Sequence, residues 1–501
     1  MIDAILGKFG YRKTADAANA GASEVKRSLR GWSVSRGKSP DGETIPELPL
    51  LRDRSRDLYR NNAIARGAIE NQLTNTIGSG LKLQPRIDRD LLGLTDEEAD
   101  KWESDVEREF LIWAESQNCD ITKRNDFYEI QELILKSVLV SGEAFILLPD
   151  RKDPNFPYDL RIQLIEGDRI ESTKQMEIEN NRLSGGIEVD AYGAPRAYYV
   201  ATNYKNDFGR GWKPTKYEKI MALGNSGRKN VIHIYKQDRP GQRRGLPYLS
   251  PVIDILKNLT RYSESVLQRA IIQSYLSVFI KSETGEAPDS PFLAEDQTLS
   301  EREQTVNIEL APGAIIPLLP GESIETVNPT GSDPRFDEFY QSNLKLIGMA
   351  LEIPLEVLTQ HFQASYSAAR AAFLQFWKSI KSRRQWIARK LCQPIYEEWL
   401  AEAILKNRIQ APGYFDDIKY RKAWSRCQWN GAAPGQIDPT KEVNAYILQR
   451  DQGFITNQDA AAQINGSDWE SNMRALKTEN KLYQDTGMPE RINNYADQPT
   501  N

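Results

Sequence analysis

Histidine is the side chain best suited to acid–base catalysis near neutral pH, and this 501-residue sequence has only His233 and His361. His233 lies in the alternating stretch NVIHIYKQ, which predicts a structural position on a β-strand. His361 lies in HFQASYS, where the only nearby carboxylates able to orient a general base are Glu352 and Glu356. We therefore expect neither histidine to be catalytic.

A group of carboxylates is the next candidate, because a metal-dependent nuclease needs acids clustered around its ions. The group comprises Asp88, Asp90, Asp96, Glu97 and Glu98. Thr95 is a good N-cap, and the acids that follow it suit the first turn of a helix. We predict turn and helix-start roles and no metal site. A nucleic-acid-processing enzyme is kept as the alternative hypothesis.

Other signatures of cofactor or nucleotide chemistry are missing from the sequence. It lacks G-x-x-x-x-G-K-[ST], G-x-G-x-x-G, H-E-x-x-H, C-x-x-C and G-x-S-x-G. Its three cysteines, Cys119, Cys392 and Cys427, have no zinc spacing, which also favours a reducing compartment. We predict no cofactor and no enzymatic activity.

Two basic clusters are candidates for contacts with phosphate groups. The first comprises Arg52, Arg54, Arg56 and Arg60, and the second comprises Lys378, Lys381, Arg383, Arg384, Arg389 and Lys390. Asp53 and Asp57 alternate with the first cluster, which favours a solvated helix face or salt bridges between subunits. The second cluster wraps around more than one face of its helix instead of lining a groove. We interpret both as mainly structural.

The overall composition limits the class of protein. A net charge of −5 argues against a binder whose whole surface is basic. Hydrophobic residues at 40% and charged residues at 27% indicate a globular chain with cores. No run approaches 18 consecutive apolar residues, so we expect no membrane span and a soluble, intracellular protein.

The spacing of apolar and turn-forming residues predicts an α+β fold. The predicted order is an extended arm at 1–50, helices followed by an antiparallel sheet at 51–248, a helix at 249–280, a small excursion at 281–332, a helix at 333–351, a loop at 352–367, a long helix at 368–410 and a mainly helical segment at 411–501. Asp190 to Gly193 predict a hairpin turn in the sheet, and Pro394 predicts a kink in the long helix.

The loop at 352–367 is unusual because it has roughly 16 residues, whereas most connections between helices need about 2 to 8. Its tip carries neutral hydrogen-bonding and aromatic side chains, namely Gln360, His361, Phe362, Gln363, Ser365 and Tyr366. These are not a catalytic set with an acid and a base. The length of the loop therefore indicates a functional contact without chemistry.

Several long stretches carry a resemblance to a known family. They are LRDRSRDLYRNNAIARGAIENQLTNTIGSGLKLQP, DRPGQRRGLPYLSPVI, PGAIIPLLPGESIETVNPTGSDPRFDEFYQSNLKLIGMALEIPLEVLTQHFQASYSAARAAFLQFW and IDPTKEVNAY. In this order they resemble the lambda-type family of tailed-bacteriophage portal (head-tail connector) proteins. The resemblance extends from about residue 50 to residue 450, which is most of the chain.

The resemblance implies a portal-type fold and a ring of usually twelve subunits at one capsid vertex, with a central channel for double-stranded DNA. It implies a wing at 51–248, stem helices at 249–280 and 333–351, a clip at 281–332 and a tunnel loop at 352–367. By the same resemblance, the long helix at 368–410 leads toward a helical crown. The resemblance does not decide whether 411–501 belongs to the wing or to the crown.

The resemblance also implies partners and a location. These are the terminase large subunit, a head-tail adaptor protein and the major capsid protein, in a virion assembled in the host cytoplasm. The acidic clip residues Glu286, Asp289, Glu295, Asp296 and Glu301 are a candidate docking surface. A ring-forming scaffold that never contacts DNA is the remaining alternative.

Overall fold

A computed structural model of the protein describes residues 37–204, 215–275, 279–282, 322–325, 335–361, 366–435, 438–467 and 469–486. These residues form long helices and small antiparallel sheets, which confirms the α+β prediction. Within these ranges, no helix is long and apolar enough to cross a membrane.

The helices carry most of the described chain. In chain order they are α1 (Pro40–Asn61), α2 (Ala63–Thr76), α3 (Arg89–Leu92), α4 (Asp96–Ala114), α5 (Phe127–Ser141), α6 (Lys174–Glu179), α7 (Ile253–Tyr275), α8 (Phe336–Ala350), α9 (Leu355–Thr359), α10 (Tyr366–Ile387), α11 (Gln393–Leu405), α12 (Ile418–Trp424), α13 (Pro439–Asp451), α14 (Asn457–Ile464) and α15 (Trp469–Thr486). Short 3₁₀ turns occupy Gln117–Cys119, Gly167–Arg169 and Ser250–Val252.

The strands pair in four small sheets. They are β1 (Lys82–Pro85), β2 (Glu143–Leu147), β3 (Gln163–Ile165), β4 (Leu183–Ser184), β5 (Ile187–Val189), β6 (Pro195–Ala201), β7 (Tyr217–Met221), β8 (Val231–Tyr235), β9 (Phe279–Ser282), β10 (Glu322–Glu325) and β11 (Cys427–Asn430). The orders are β3-β2-β8, β4-β5-β6-β7, β1-β11 and β10-β9. All these pairs are antiparallel, so the sheet predicted after the helices is confirmed.

The predicted hairpin turn joins β5 to β6. Asp190 Oδ1 accepts hydrogen bonds from the backbone N–H groups of Tyr192 and Ala194, at 2.8 and 2.9 Å. Gly193 has a φ of 88°, a left-handed conformation that favours glycine. An acceptor side chain followed by glycine thus fixes the register of this hairpin.

The prediction of an extended arm reaching residue 50 is wrong from Pro40 onward. Helix α1 begins there because Ser39 Oγ accepts a hydrogen bond from Gly42 N at 3.1 Å and Pro40 suits a first helical position. The helical stretch at the start of the predicted 51–248 segment consists of two helices, α1 and α2. Asn62 is extended and caps α2 through a 2.9 Å bond from Ala65 N to its Oδ1.

Aromatic side chains join α4, α5 and α11 in the main core. The ring of Phe110 meets that of Trp399 edge-on at 5.0 Å between centroids, and Trp113 lies 5.4 Å from Phe127. All four are essentially fully buried. Such pairs add roughly 0.5–1.5 kcal/mol beyond the burial of their area. The far end of the long helical segment is therefore fixed to the body of the protein.

The long helix is interrupted close to the predicted position at Pro394. A π turn at Ala388–Cys392 separates α10 from α11, and Pro394 lies in the first turn of α11. Proline cannot donate the hydrogen bond of a helix interior, and a widened turn just before it accommodates that loss.

Helices α7 and α8 pack side by side, and α7 begins one short turn later than predicted. Ser250 lies in a 3₁₀ turn just before α7, and its buried hydroxyl has no hydrogen-bond partner among the residues that the structure describes. The ring of Tyr262 stacks on Phe336 at 5.4 Å and meets Phe339 at 5.0 Å. The start of α8 is thereby held against the middle of α7.

Candidate functional site

The base of the 352–367 loop has a defined conformation, and part of it is helical. Helix α9 occupies Leu355–Thr359, so this part of the predicted loop is regular. Left-handed residues flank it, with a φ of 54° at Glu352 and 53° at Gln360. Non-glycine residues adopt this conformation at a cost, and surrounding contacts must hold it.

Close backbone contacts hold the first of these turns. Ile353 N donates a 2.8 Å hydrogen bond to Gly348 O, and a Cβ at Gly348 would lie 2.5 Å from Ile353 O. Only glycine therefore fits at position 348. The Tyr248 hydroxyl donates a short hydrogen bond to Leu351 O, which ties the turn to the segment before α7.

Arg383 on α10 holds the same turn from the other side. Its guanidinium donates to Gln72 Oε1, forms an ion pair with Glu352 at 3.6 Å, and lies 5.1 Å from the ring centre of Tyr248. One member of the second basic cluster thus connects α2, the loop base and α10. This contact supports the structural interpretation of that cluster, here within one subunit.

The predicted loop-tip residues are only partly within the described ranges. Gln360 and His361 are exposed, and His361 N donates to Glu356 O at 3.2 Å. Tyr366 begins α10, but its side chain lies outside the described residues, as do Phe362, Gln363 and Ser365. The clip residues also lie outside them, namely Glu286, Asp289, Glu295, Asp296 and Glu301.

A buried charge cluster, which the sequence did not predict, lies where the sheets meet α1. The Glu143 carboxylate at the start of β2 has no exposed side-chain surface. It accepts hydrogen bonds from Arg52, from Arg244 Nε at 2.8 Å and from His233 Nε2 at 3.0 Å. Three segments distant in sequence therefore converge on one carboxylate.

The protonation states in this cluster follow from burial and charge. Burial alone would raise the pKa of Glu143, but the charges of Arg244 and Arg52 and the bond from His233 hold that pKa well below its usual range. Burial lowers the pKa of His233, so its imidazole is neutral at pH 7. The cluster is closed to solvent and satisfied internally, which suits a structural connection.

The prediction of a solvated arginine face on α1 is wrong for two of its four members. Arg52 is buried against Glu143, and Arg56 donates to Asp168 in a short ion pair. Arg54 and Arg60 are exposed as predicted. A glutamate heading the apolar strand EAFIL was the available signal, because a charge at such a position needs a buried partner.

Comparison with known proteins decides the family. Residues 25–384 match the family model described as phage portal protein, lambda family. The chain belongs to this family. It is 27% identical to Portal protein B of Escherichia phage lambda over 489 residues, which cover 94% of this chain and 90% of that protein. It is also 27% identical to the portal protein of Escherichia phage N15, over 93% of this chain and 89% of that one.

More distant matches were also found. The probable portal protein of Halomonas phage phiHAP-1 is 23% identical over 77% of this chain and 71% of its own length. Among solved structures, the neck of a native gene transfer agent particle computed with C12 symmetry aligns with a TM-score of 0.44. That alignment has 14% identity and covers 83% of this chain and 94% of the other.

In this portal family member, three of the five carboxylates at 88–98 have local structural partners. Asp88 Oδ1 accepts from Leu91 N at 3.2 Å, and Asp96 forms an ion pair with Arg89 at 2.6 Å. Thr95 and Glu98 form a capping box at the start of α4, as the sequence predicted. In the described part of the chain, no group of three or more potential ligands is placed to hold a metal ion.

A cleft of 1080 Å³ lies beneath the loop base, between α5, the segment before α7 and α10. Apolar side chains such as Val138, Ile353 and Phe376 line it, and Lys345 and Lys378 also contribute. An apolar floor with lysines suits binding of a protein segment better than acid–base chemistry.

Proposed function

We propose that the chain is the repeating subunit of a ring, of about twelve copies, at a unique capsid vertex. Double-stranded DNA would pass through its channel during packaging and ejection, without catalysis by the ring. The observation that carries this proposal is the 352–367 loop. Its base is fixed by Gly348, Tyr248 and Arg383, while the described start of its tip is exposed.

Exposed apolar side chains on α7 and α8 support assembly into a ring. Helix α8 buries Leu344 and Ile347, but on other faces it exposes Phe339, Leu346 and Met349, the last at 74%. Helix α7 exposes Leu267. Covering apolar surface is worth about 25 cal/mol per Å². A neighbouring copy seated against these helices would gain that stabilisation.

The electrostatics of the loop support contact with DNA that moves. Each phosphate neutralised by a fixed cation adds salt-dependent affinity, and several such contacts change binding by orders of magnitude. From Glu352 to Ser367 the sequence has no lysine or arginine, and its tip residues are neutral. An uncharged tip on a fixed base would touch DNA without holding it.

The partners follow from the same proposal. The terminase large subunit and a head-tail adaptor would dock on the acidic clip, through residues such as Glu286 and Asp289. The major capsid protein would surround the ring in the virion, which would assemble in the host cytoplasm.

Site-specific crosslinking tests the contact with DNA. A photoreactive side chain at His361 should crosslink to DNA while the genome is being packaged. The same side chain at Tyr192, which is 97% exposed on the β5–β6 hairpin, should give no DNA crosslink. Crosslinks are read as labelled DNA bound to the denatured subunit. Silence at position 361 in particles that package normally would support the scaffold alternative, and equal crosslinking at both positions would contradict a specific tip contact.

A further inference from the structure

A second cavity, of 450 Å³, lies between α10, the π turn and β11. Three basic side chains line it, those of Lys381, Arg384 and Arg389. The other polar lining consists mainly of amide side chains, including Gln385 and Asn430. None of the described residues that line this cavity is an aspartate or glutamate. In a chain with a net charge of −5, a pocket rich in donors and without acids is a selective environment for an anion.

Arg384 is the inner cation of this pocket, and no carboxylate in the described part of the chain forms an ion pair with it. Its Nε donates to Thr76 O at 3.0 Å, and its Nη2 donates to the carbonyls of Asn75 and Ala432 at 2.8 and 2.9 Å. These bonds fix the guanidinium, which also lies 5.3 Å from the ring centre of Trp377. Neutral carbonyls satisfy donors, but they do not cancel a positive charge.

The pKa of Arg384 reflects the same lack of a neighbouring carboxylate among the described residues. Burial lowers the pKa of Arg384, and no carboxylate acts to raise it. A partly buried charge is costly unless it is paired. Its Nη1 makes no hydrogen bond to any residue that the structure describes, which leaves both N–H groups of this nitrogen to donate to a ligand.

The two outer cations are also unpaired. Lys381 and Arg389 are exposed and form no ion pair with the described part of the chain. The carboxylate of Glu397 is already engaged, because it accepts from Lys422 Nζ at 2.7 Å and from Gln393 Nε2 at 3.1 Å. The positive charge of the pocket is therefore not cancelled by that acid.

The π turn helps to gather these side chains on one side of the helix. Lys381, Gln385, Arg389 and Gln393 follow one another at intervals of four residues and all line the pocket. On a straight α-helix each such step overshoots a full turn by about 40°. The wider turn at Ala388–Cys392 absorbs part of this drift. Such turns are frequent at functional sites.

We propose that this pocket binds a phosphate group. Three positive charges exceed what a single carboxylate would balance, and they are enough to balance the two negative charges of a free phosphate or the single negative charge of a DNA backbone phosphate. Guanidinium and amide donors supply the hydrogen bonds that its oxygens accept. The site could take a free phosphate or one carried on a DNA backbone, and it does not depend on the channel proposed above.

Titration of the purified full-length protein with inorganic phosphate, at constant ionic strength in chloride buffer, tests this site. Lys381→Gln and Arg389→Gln should each weaken phosphate binding about tenfold, which corresponds to loss of one charge-assisted hydrogen bond. Lys390→Gln is the matched control, because Lys390 is an exposed cation of the same π turn outside the pocket. The Lys390→Gln variant should bind phosphate with the same affinity as the wild-type protein.

Two results of the phosphate titration would overturn the proposal. One is the absence of phosphate binding by the wild-type protein, and the other is an equal loss of affinity in Lys390→Gln. Acetate is titrated in parallel, and binding as tight as that of phosphate would also contradict a phosphate site. A short DNA duplex identifies the source of the phosphate. If duplex affinity falls in the two pocket variants but not in the control, the ligand is a backbone phosphate, whereas unchanged duplex affinity assigns the site to free phosphate.

Discussion

Glu143→Gln should lower the free energy of unfolding by about 3–5 kcal/mol, because it leaves buried arginine charges without their carboxylate. Arg52 and Arg244 both donate to Glu143, and all three side chains are almost completely inaccessible to solvent. Glutamine keeps the size of the side chain and removes its charge. Equilibrium urea unfolding followed by tryptophan fluorescence measures the loss.

The control for Glu143→Gln is Asp105→Asn, which removes an exposed ion pair with Arg108. Exposed pairs contribute little, so this variant should unfold close to wild type. The pKa of Glu143 is depressed, so its stabilisation is present above the ordinary pKa of glutamate and is lost as pH falls below it. The difference between wild type and Glu143→Gln should therefore shrink in acid. A loss below about 1 kcal/mol at pH 7 would show that the cluster is not a structural connection.

Gly245→Ala should destabilise the same region by about 3 kcal/mol, because two backbone segments touch there. A Cβ at Gly245 would lie 2.1 Å from Gly142 O and 2.7 Å from Tyr235 Cβ. Gly245 N also donates to Glu143 Oε2 at 3.1 Å, so any shift of this backbone disturbs the charge cluster. Urea unfolding again measures the change.

Gly67→Ala is the control for that substitution. Gly67 lies inside α2, and no atom would come within 4 Å of an added Cβ. Alanine in an open helical position should raise stability by roughly 0.5–1 kcal/mol. If Gly245→Ala lowers the free energy of unfolding and Gly67→Ala raises it, the effect of backbone crowding is distinguished from that of helix propensity. Equal effects at both positions would contradict the close approach at Gly245.

Features governed by local spacing were predictable from the sequence. Alternating residues predicted the strands around His233 and the hairpin at Asp190–Gly193, and both are present. The cap at Thr95 was predicted for the same reason, because capping depends on residues within one turn. In these segments, the structure that neighbouring residues favour is also the structure found in the folded protein.

Features that depend on distant partners were not predictable. Arg52 belongs to a charged helical pattern typical of a solvated face, but its partner Glu143 is 91 positions away in the chain. Gln72, Tyr248 and Arg383, which hold the loop base, are also far apart in the sequence, so their contacts were not predictable either. Helix α1 was missed because its start contains Gly42, Pro46 and Pro49, which ordinarily indicate irregular structure.

Electron microscopy of the purified full-length protein tests the central claim most directly. The account predicts rings of about twelve subunits with a central hole wide enough for duplex DNA. Substitution of exposed apolar residues on α7 and α8 by polar ones, at Leu267 and Met349, should reduce the fraction of rings. A homogeneous population of compact monomers under conditions where the protein is folded would contradict the account.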